Sequence, residues 1–267
     1  MTLTDAVRST VDGLPGVFGV YARNLATGET VELDADRVMP AESTAKTGAL
    51  ILYSRLVDAG TLDPSTRVEL SDSDKYIGTG VLRFLASGLQ PTLDDLAWLM
   101  IIVSDNSATA MLMPRLGTLD DFAAAMQALG CPTLRINEIE MGDALAGTPF
   151  SVSSPRDLAE LYAHLDERCR TILYRQQHLV GLPRRLPHMA YAADVAITMP
   201  VRVYNKTGTG MGRFVDSGRF ETDTASWVVA AMADGQTDFA SRPEDAAPNA
   251  FARIGELLYE AWGGFEG

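Results

Sequence analysis

Phe214-Val215-Asp216-Ser217-Gly218-Arg219-Phe220 and, shortly after it, Ser226-Trp227-Val228-Val229-Ala230-Ala231-Met232 are the stretches on which the fold turns. Both are rich in β-branched and aromatic residues, and the polar break between them reads as a turn, so they form neighbouring antiparallel strands. Val201-Arg202-Val203-Tyr204 supplies a third strand just upstream. At the other end of the chain, Val17-Phe18-Gly19-Val20-Tyr21-Ala22 alternates its apolar side chains, Ala26-Thr27-Gly28-Glu29 turns, and Thr30-Val31-Glu32-Leu33 returns, which is the pattern of a β-hairpin. Five antiparallel strands are thus divided between the two ends. Asn249 to Trp262 places Phe251, Ile254, Leu257, Leu258 and Trp262 at helical spacing, an amphipathic helix suited to cover one face of the sheet.

Between the ends the spacing is helical: Thr47 to Ala59, Thr92 to Val103, Asn106 to Leu116, Leu119 to Leu129 and Pro155 to His164, with Ser154-Pro155 as one clear helix start. The fold class expected is α/β of the α+β kind, an antiparallel five-stranded sheet flanked by helices with an inserted all-helical domain. In residue terms, 1–38 and 190–267 form a discontinuous α/β domain, 39–189 form the helical domain, and the active site lies in the cleft between them. No internal repeat or low-complexity tract suggests a solenoid or a scaffold.

Composition narrows the function classes. With 267 residues and 46% hydrophobic content, the chain can bury a large core. A net charge of −13 and the lack of any basic run argue against nucleic-acid or anionic-membrane partners. Leu96 to Val103 is far short of the ~20 apolar residues a membrane span needs. Cys131 and Cys169 read as buried free thiols. His164, His178 and His188 have no zinc-ligand spacing and suggest no Ser/His/Asp triad, so neither a metal nor a cofactor is expected. The N-terminus has neither a basic region nor a continuous apolar one, so the chain as written is expected in the cytoplasm, and in the periplasm or medium if a leader is missing. A monomer acting on a small molecule is expected.

The positive charges are unequally chosen. Only Lys46, Lys75 and Lys206 are lysines, against nineteen arginines. Lysine, unlike arginine, can shift its pKa and carry a proton, so a chain that otherwise uses arginine marks its lysines as candidates for proton transfer. Lys46 lies in Ser43-Thr44-Ala45-Lys46, at the head of a helical run that puts Ser43 in the first turn and Lys46 on the same face. A serine hydroxyl becomes a nucleophile when a base within reach takes its proton, and a desolvated lysine can be that base. Ser104-Asp105-Asn106 separates two apolar helices; Ser104 can relay a proton to a leaving group, and the Asn106 amide can orient an amide-bearing substrate. Lys206-Thr207-Gly208-Thr209-Gly210 ends a strand, where glycine lets a ligand approach the backbone and Thr207 with Lys206 can bind a carboxylate; a Gly-rich hairpin turn is the alternative.

Ser-x-x-Lys, Ser-Asp-Asn and Lys-Thr-Gly in this order resemble the penicillin-binding-protein and class A serine β-lactamase family, over nearly the whole chain. The resemblance implies acyl transfer: Ser43 attacks a carbonyl, the N–H groups of Ser43 and Thr209 form the oxyanion hole, Lys46 takes or relays the proton, and Ser104 with Lys206 passes it to the departing nitrogen. It also implies a deacylating glutamate within Thr133 to Asp143. Glu140 follows Arg135-Ile136-Asn137, which is similar to the family's Arg-Leu-Asp, and is the preferred position; counting back from Ser154-Pro155 gives Glu138. In the Glu140 alignment, Glu138 stands where the family has a loop-pinning arginine and Ala144 where it has an asparagine. For the substrate carboxylate the family often supplies an arginine beside Lys-Thr-Gly, and Arg213 and Arg219 are the nearby options. Lys75-Tyr76 fits a cleft rim or an ordinary loop. The implied activity is hydrolysis of a β-lactam amide, with two alternatives: a cytoplasmic esterase or peptidase-like acyl hydrolase, and a β-lactam-binding protein that stays acylated.

Overall fold

The structure, a computed structural model, describes residues 1–137, 147–189 and 191–263. Helix α1 (Leu3–Val11) opens with a capping box in which Thr2 and Asp5 satisfy each other's backbone N–H groups. Strands β1 (Val17–Asn24) and β2 (Thr30–Leu33) form the expected hairpin, its turn held by the Asn24 carbonyl side chain accepting from the Ala26 and Thr27 N–H groups. The chain then crosses a helical region. There it forms α2 (Lys46–Asp58), α3 (Leu93–Ile102), α4 (Asn106–Leu112), α5 (Leu119–Ala128), α6 (Pro155–Glu160) and α7 (Glu167–Leu173). Thr92 and Thr118 cap α3 and α5 with boxes closed by Asp95 and Asp121, and Ser154 caps α6 ahead of Pro155.

Two helices are shorter than their spacing suggests. Pro114 turns the end of α4 into a 3₁₀ turn, Met113–Arg115, and α6 passes into another at Leu161–His164. Residues 39–189 are also not helical throughout. Short strands β3 (Met39–Pro40), β4 (Arg135–Ile136) and β5 (Ser151–Ser153) make a small sheet in the order β3-β5-β4. Runs of two or three residues are too brief to leave a period in the sequence.

The last elements are β6 (Arg202–Gly210), β7 (Arg213–Glu221), β8 (Ser226–Asp234) and helix α8 (Ala246–Trp262). The main sheet has the order β2-β1-β8-β7-β6, every neighbour antiparallel, which places β8 at its centre. Val229, Ala231 and Ala233 point to one face, where α1 and α8 bury them with Phe18, Phe214 and Phe251; Val228, Ala230 and Met232 point to the other, against the helical region. A strand covered on both faces reads as an unbroken apolar run, as β8 does. Helix α8 begins three residues before the expected Asn249 because Pro248, in its first turn, occupies a position where a missing N–H costs little. Cys131 and Cys169 are buried and unpaired.

This arrangement leaves β6 as the sheet edge nearest the helical region, lying against the 3₁₀ turn Glu42–Ala45 that leads into α2. Among the described residues no helix is long and apolar enough to cross a membrane.

Candidate active site

Ser43 sits in that 3₁₀ turn, and α2 starts only at Lys46, so the serine precedes the α-helix rather than occupying its first turn. One residue back, Glu42 has φ of 51°, a left-handed backbone that costs a non-glycine residue about 1–3 kcal/mol. Ser104, in the link between α3 and α4, is also left-handed, at φ 55°. Strain of this kind persists only where surrounding contacts over-determine it.

Lys46 is 1% exposed, and its ammonium donates to the Ser104 carbonyl at 2.8 Å, the Ser104 hydroxyl at 3.2 Å and Asn106 Oδ1 at 2.8 Å. Lys206, reaching in from β6, donates to the same Ser104 hydroxyl at 3.0 Å and to the Thr207 carbonyl at 2.6 Å. With both lone pairs of Ser104 Oγ engaged by lysine donors, its own proton is left to donate. The two ammonium nitrogens lie 3.2 and 3.0 Å from one oxygen, hence within about 6 Å of each other. Burial drives the Lys46 pKa well below the usual lysine range, and the Lys206 charge pushes the same way. Burial brings Lys206 down to about 7, opposed by Asp216. A lysine so shifted can hold and release a proton near neutrality.

The link bearing Ser104 is fixed by its neighbours. Asp105 caps α4 by accepting from the Ala108 N–H at 2.9 Å, while its other oxygen accepts from Val81 and Leu82 N–H groups at 2.6 and 2.9 Å. Asn106 Nδ2 donates one hydrogen to the Ile77 carbonyl at 2.8 Å. Since its Oδ1 accepts from Lys46, the amide retains one hydrogen for a ligand.

The third motif ends a strand, as expected. Lys206 to Gly210 lie inside β6, whose pairing with β7 runs to Gly210↔Arg213. Gly208 permits this, because a Cβ there would come within 2.8 Å of the Ala41 carbonyl oxygen and 2.9 Å of Ser43 N, both backbone atoms. The strand thus runs directly beside the backbone of the nucleophile turn.

These elements enclose a cavity of about 440 Å³. Of the residues singled out by sequence, Ser43, Lys46, Asn106, Thr209 and Arg213 line it, as does Tyr76. Ser104, Lys206 and Thr207 are buried behind that wall, and Gly208 lies in the strand between. Arg219 pairs with Glu221 and is not among the lining residues, while Lys75 pairs with Asp72. Arg213 is engaged by two acids: its Nε meets Asp234 at 3.2 Å and its Nη1 meets Glu42 at 3.1 Å. Glu138, Glu140 and Ala144 lie outside the described residues. Asn137 and Gly147, on either side of that stretch, both line the cavity.

Two buried acids near the site carry no motif. Glu42 shares the cavity wall, and its only mark in the sequence is its place beside Ser43. Asp216 on β7 accepts from the Leu182 N–H at 2.8 Å and Asn205 Nδ2 at 2.9 Å, and burial raises its carboxyl to about 7. An acid in the middle of a strand gives no sign in the sequence that it faces the back of a lysine.

Comparison with known proteins finds relatives among the β-lactamases. The carbapenem-hydrolysing β-lactamase KPC of Klebsiella oxytoca is 30% identical over 205 residues, 73% of this chain and 67% of that protein. Other curated β-lactamases are matched over about half of their length. A β-lactamase structure from Sphaerobacter thermophilus has a TM-score of 0.83 at 28% identity, covering 97% of this chain and 96% of its own. A mutant of PBP-A, solved as an acyl-enzyme complex with penicillin G, has a TM-score of 0.82 at 25% identity, covering 97% and 95%. The model of the β-lactamase enzyme family matches residues 2–262, and the chain belongs to that family.

Proposed function

We propose that this protein is a serine hydrolase that opens the β-lactam amide through an acyl-enzyme on Ser43. The observation that carries the proposal is the Ser104 hydroxyl held between Lys46 and Lys206, beside a serine at the cavity wall. In this reading Lys46, whose pKa burial lowers, accepts the Ser43 proton in its unprotonated form as Oγ attacks the carbonyl. The new oxyanion is met by the Ser43 and Thr209 N–H groups, and the β6 strand against the Ser43 turn supports their convergence. Ser104 gives its proton to the departing nitrogen and is resupplied by Lys46 or Lys206, so the proton lost by Ser43 ends on the opened amine.

Asn106, with its remaining amide hydrogen, orients the substrate's side-chain amide. Its carboxylate is assigned to the Thr209 hydroxyl, the Lys206 charge and Thr207, since the two acids on Arg213 largely neutralise that guanidinium. Ile77, Met113, Leu119 and Phe150 make one wall apolar, which suits an apolar acyl substituent. Water then releases the acid, with Glu140 as the base and Glu138 as the alternative. The acidic chain is taken to act as a monomer on small molecules.

Intact mass after mixing with a penicillin tests the proposal. An adduct that forms and clears within seconds, with loss of the β-lactam absorbance, supports hydrolysis. An adduct lasting hours assigns the protein to β-lactam binding, and no adduct together with ester cleavage assigns it to the acyl hydrolases.

A further inference from the structure

Glu42 is spent on none of the steps above, yet it is the residue that precedes the nucleophile. Its side chain is 8% exposed. Oε1 takes Arg213 Nη1 at 3.1 Å, Oε2 takes the Phe150 N–H at 3.3 Å, and the Glu42 carbonyl takes the Ser151 hydroxyl at 2.7 Å. Asp234, at the end of β8, holds Arg213 from its other side. A left-handed residue is therefore gripped from β5, from the segment before it and from β7. Gly210 makes room for the grip, because a Cβ there would come within 2.6 Å of Glu42 Oε1.

Glu42 shares a peptide with Ser43, so whatever fixes Glu42 also aims the Ser43 N–H. We propose that the Glu42–Arg213 ion pair is the positioning element of the oxyanion hole, holding the Glu42–Ser43 peptide so that the Ser43 and Thr209 N–H groups converge on one oxygen. The inference rests on the Ser43 acyl-enzyme. The charged groups facing Glu42 are Arg213 from β7 and, through it, Asp234 from β8; Lys46 from α2 and Lys206 from β6 are turned to Ser104. Burial raises the Glu42 carboxyl and Arg213 opposes that, so acid weakens the pair.

The test compares the wild type with Glu42→Gln, Arg213→Gln and the double variant. It measures the acylation rate and KM for a chromogenic cephalosporin, and the inhibition constant of an aryl boronic acid that forms a tetrahedral adduct. A misaimed donor harms the tetrahedral state and not ground-state binding. Glu42→Gln should therefore slow acylation by about tenfold or more, raise the boronate constant by a similar factor and leave KM within about twofold. The double variant should be no slower than the slower single one, since both changes break one pair. Unchanged acylation in Glu42→Gln, parallel losses in KM and rate, or single effects that multiply would each overturn the proposal. Should Glu42→Gln not fold, Arg213→Gln at its partly exposed position replaces it: slowed acylation at unchanged KM supports the pair's role, and wild-type acylation overturns it. A wild type that forms no adduct refutes the acyl-enzyme and the inference with it, whereas a reactive wild type with an indifferent Glu42→Gln refutes the inference alone.

Discussion

Replacing Lys46 separates charge from basicity. Lys46→Arg keeps a cation, but a guanidinium stays protonated at any accessible pH and cannot take the Ser43 proton. Loss of a general base costs about 10²–10⁴ in rate, or about 2.7–5.4 kcal/mol at 1.36 kcal/mol per decade. Geometry adds to the loss. The lysine ammonium fits between the Ser104 carbonyl and Asn106 Oδ1, each at 2.8 Å, and a larger planar group must displace one of them. Acylation by a penicillin, followed by rapid mixing and intact mass, should fall by at least a hundredfold in Lys46→Arg and as far in Lys46→Ala. Stability should move differently. Because the folded-state pKa of Lys46 is lowered from 10.5, the native chain disfavours a proton that the unfolded chain keeps. The lysine therefore subtracts from stability at neutral pH, and the subtraction fades only as pH rises towards 10.5. The stability of Lys46→Ala relative to wild type should then fall as pH rises from 7 towards 10.5, read as the difference in melting temperature across that range. An arginine variant that acylates within tenfold of wild type would show that position 46 supplies charge alone and would refute a lysine base.

Lys206, lowered to about 7, is charged below that pH and loses its charge above it. The kcat/KM for a carboxylate-bearing β-lactam should therefore decline on the alkaline side from near pH 7, and Lys206→Arg should flatten that decline in a pH–rate profile. Gly208→Ala should cut acylation by about a hundredfold, because its Cβ would press on the backbone of Ala41 and Ser43, which cannot yield as a side chain does; wild-type rates there would deny the close approach. Glu140→Gln should leave acylation intact and slow turnover by ~10²–10⁴, so that the adduct accumulates on a mass time course, while Glu138→Gln changes little. The reverse result moves the base to Glu138, and two indifferent variants remove both.

Much of this was legible because it is periodic or local. The edge hairpin and the strands around Phe214 and Val228 announce themselves by β-branched runs, and helices such as Leu93–Ile102 by their caps and apolar spacing. The three motifs are local too, and the fold brings Lys46 within hydrogen-bond reach of Ser104 and Asn106, and Lys206 within reach of Ser104. What stayed hidden depends on contacts between distant segments. Lys206-Thr207-Gly208-Thr209-Gly210 reads as a strand end, but that Gly208 is needed where the strand meets the Ser43 backbone is recorded by no local pattern. The left-handed Glu42 is held by Arg213 and Ser151 more than a hundred residues away, and no local pattern records that. Arg213 looked available for a substrate carboxylate until its two acidic partners were placed beside it.

The central claim is that Ser43 becomes acylated, and the direct measurement is peptide mapping of the protein quenched with acid shortly after addition of a penicillin. The expected result is a mass increase equal to the intact penicillin on the peptide containing Ser43, and none in Ser43→Ala, whose melting temperature should match the wild type. An adduct on any other residue, or one that persists in folded Ser43→Ala, would contradict it.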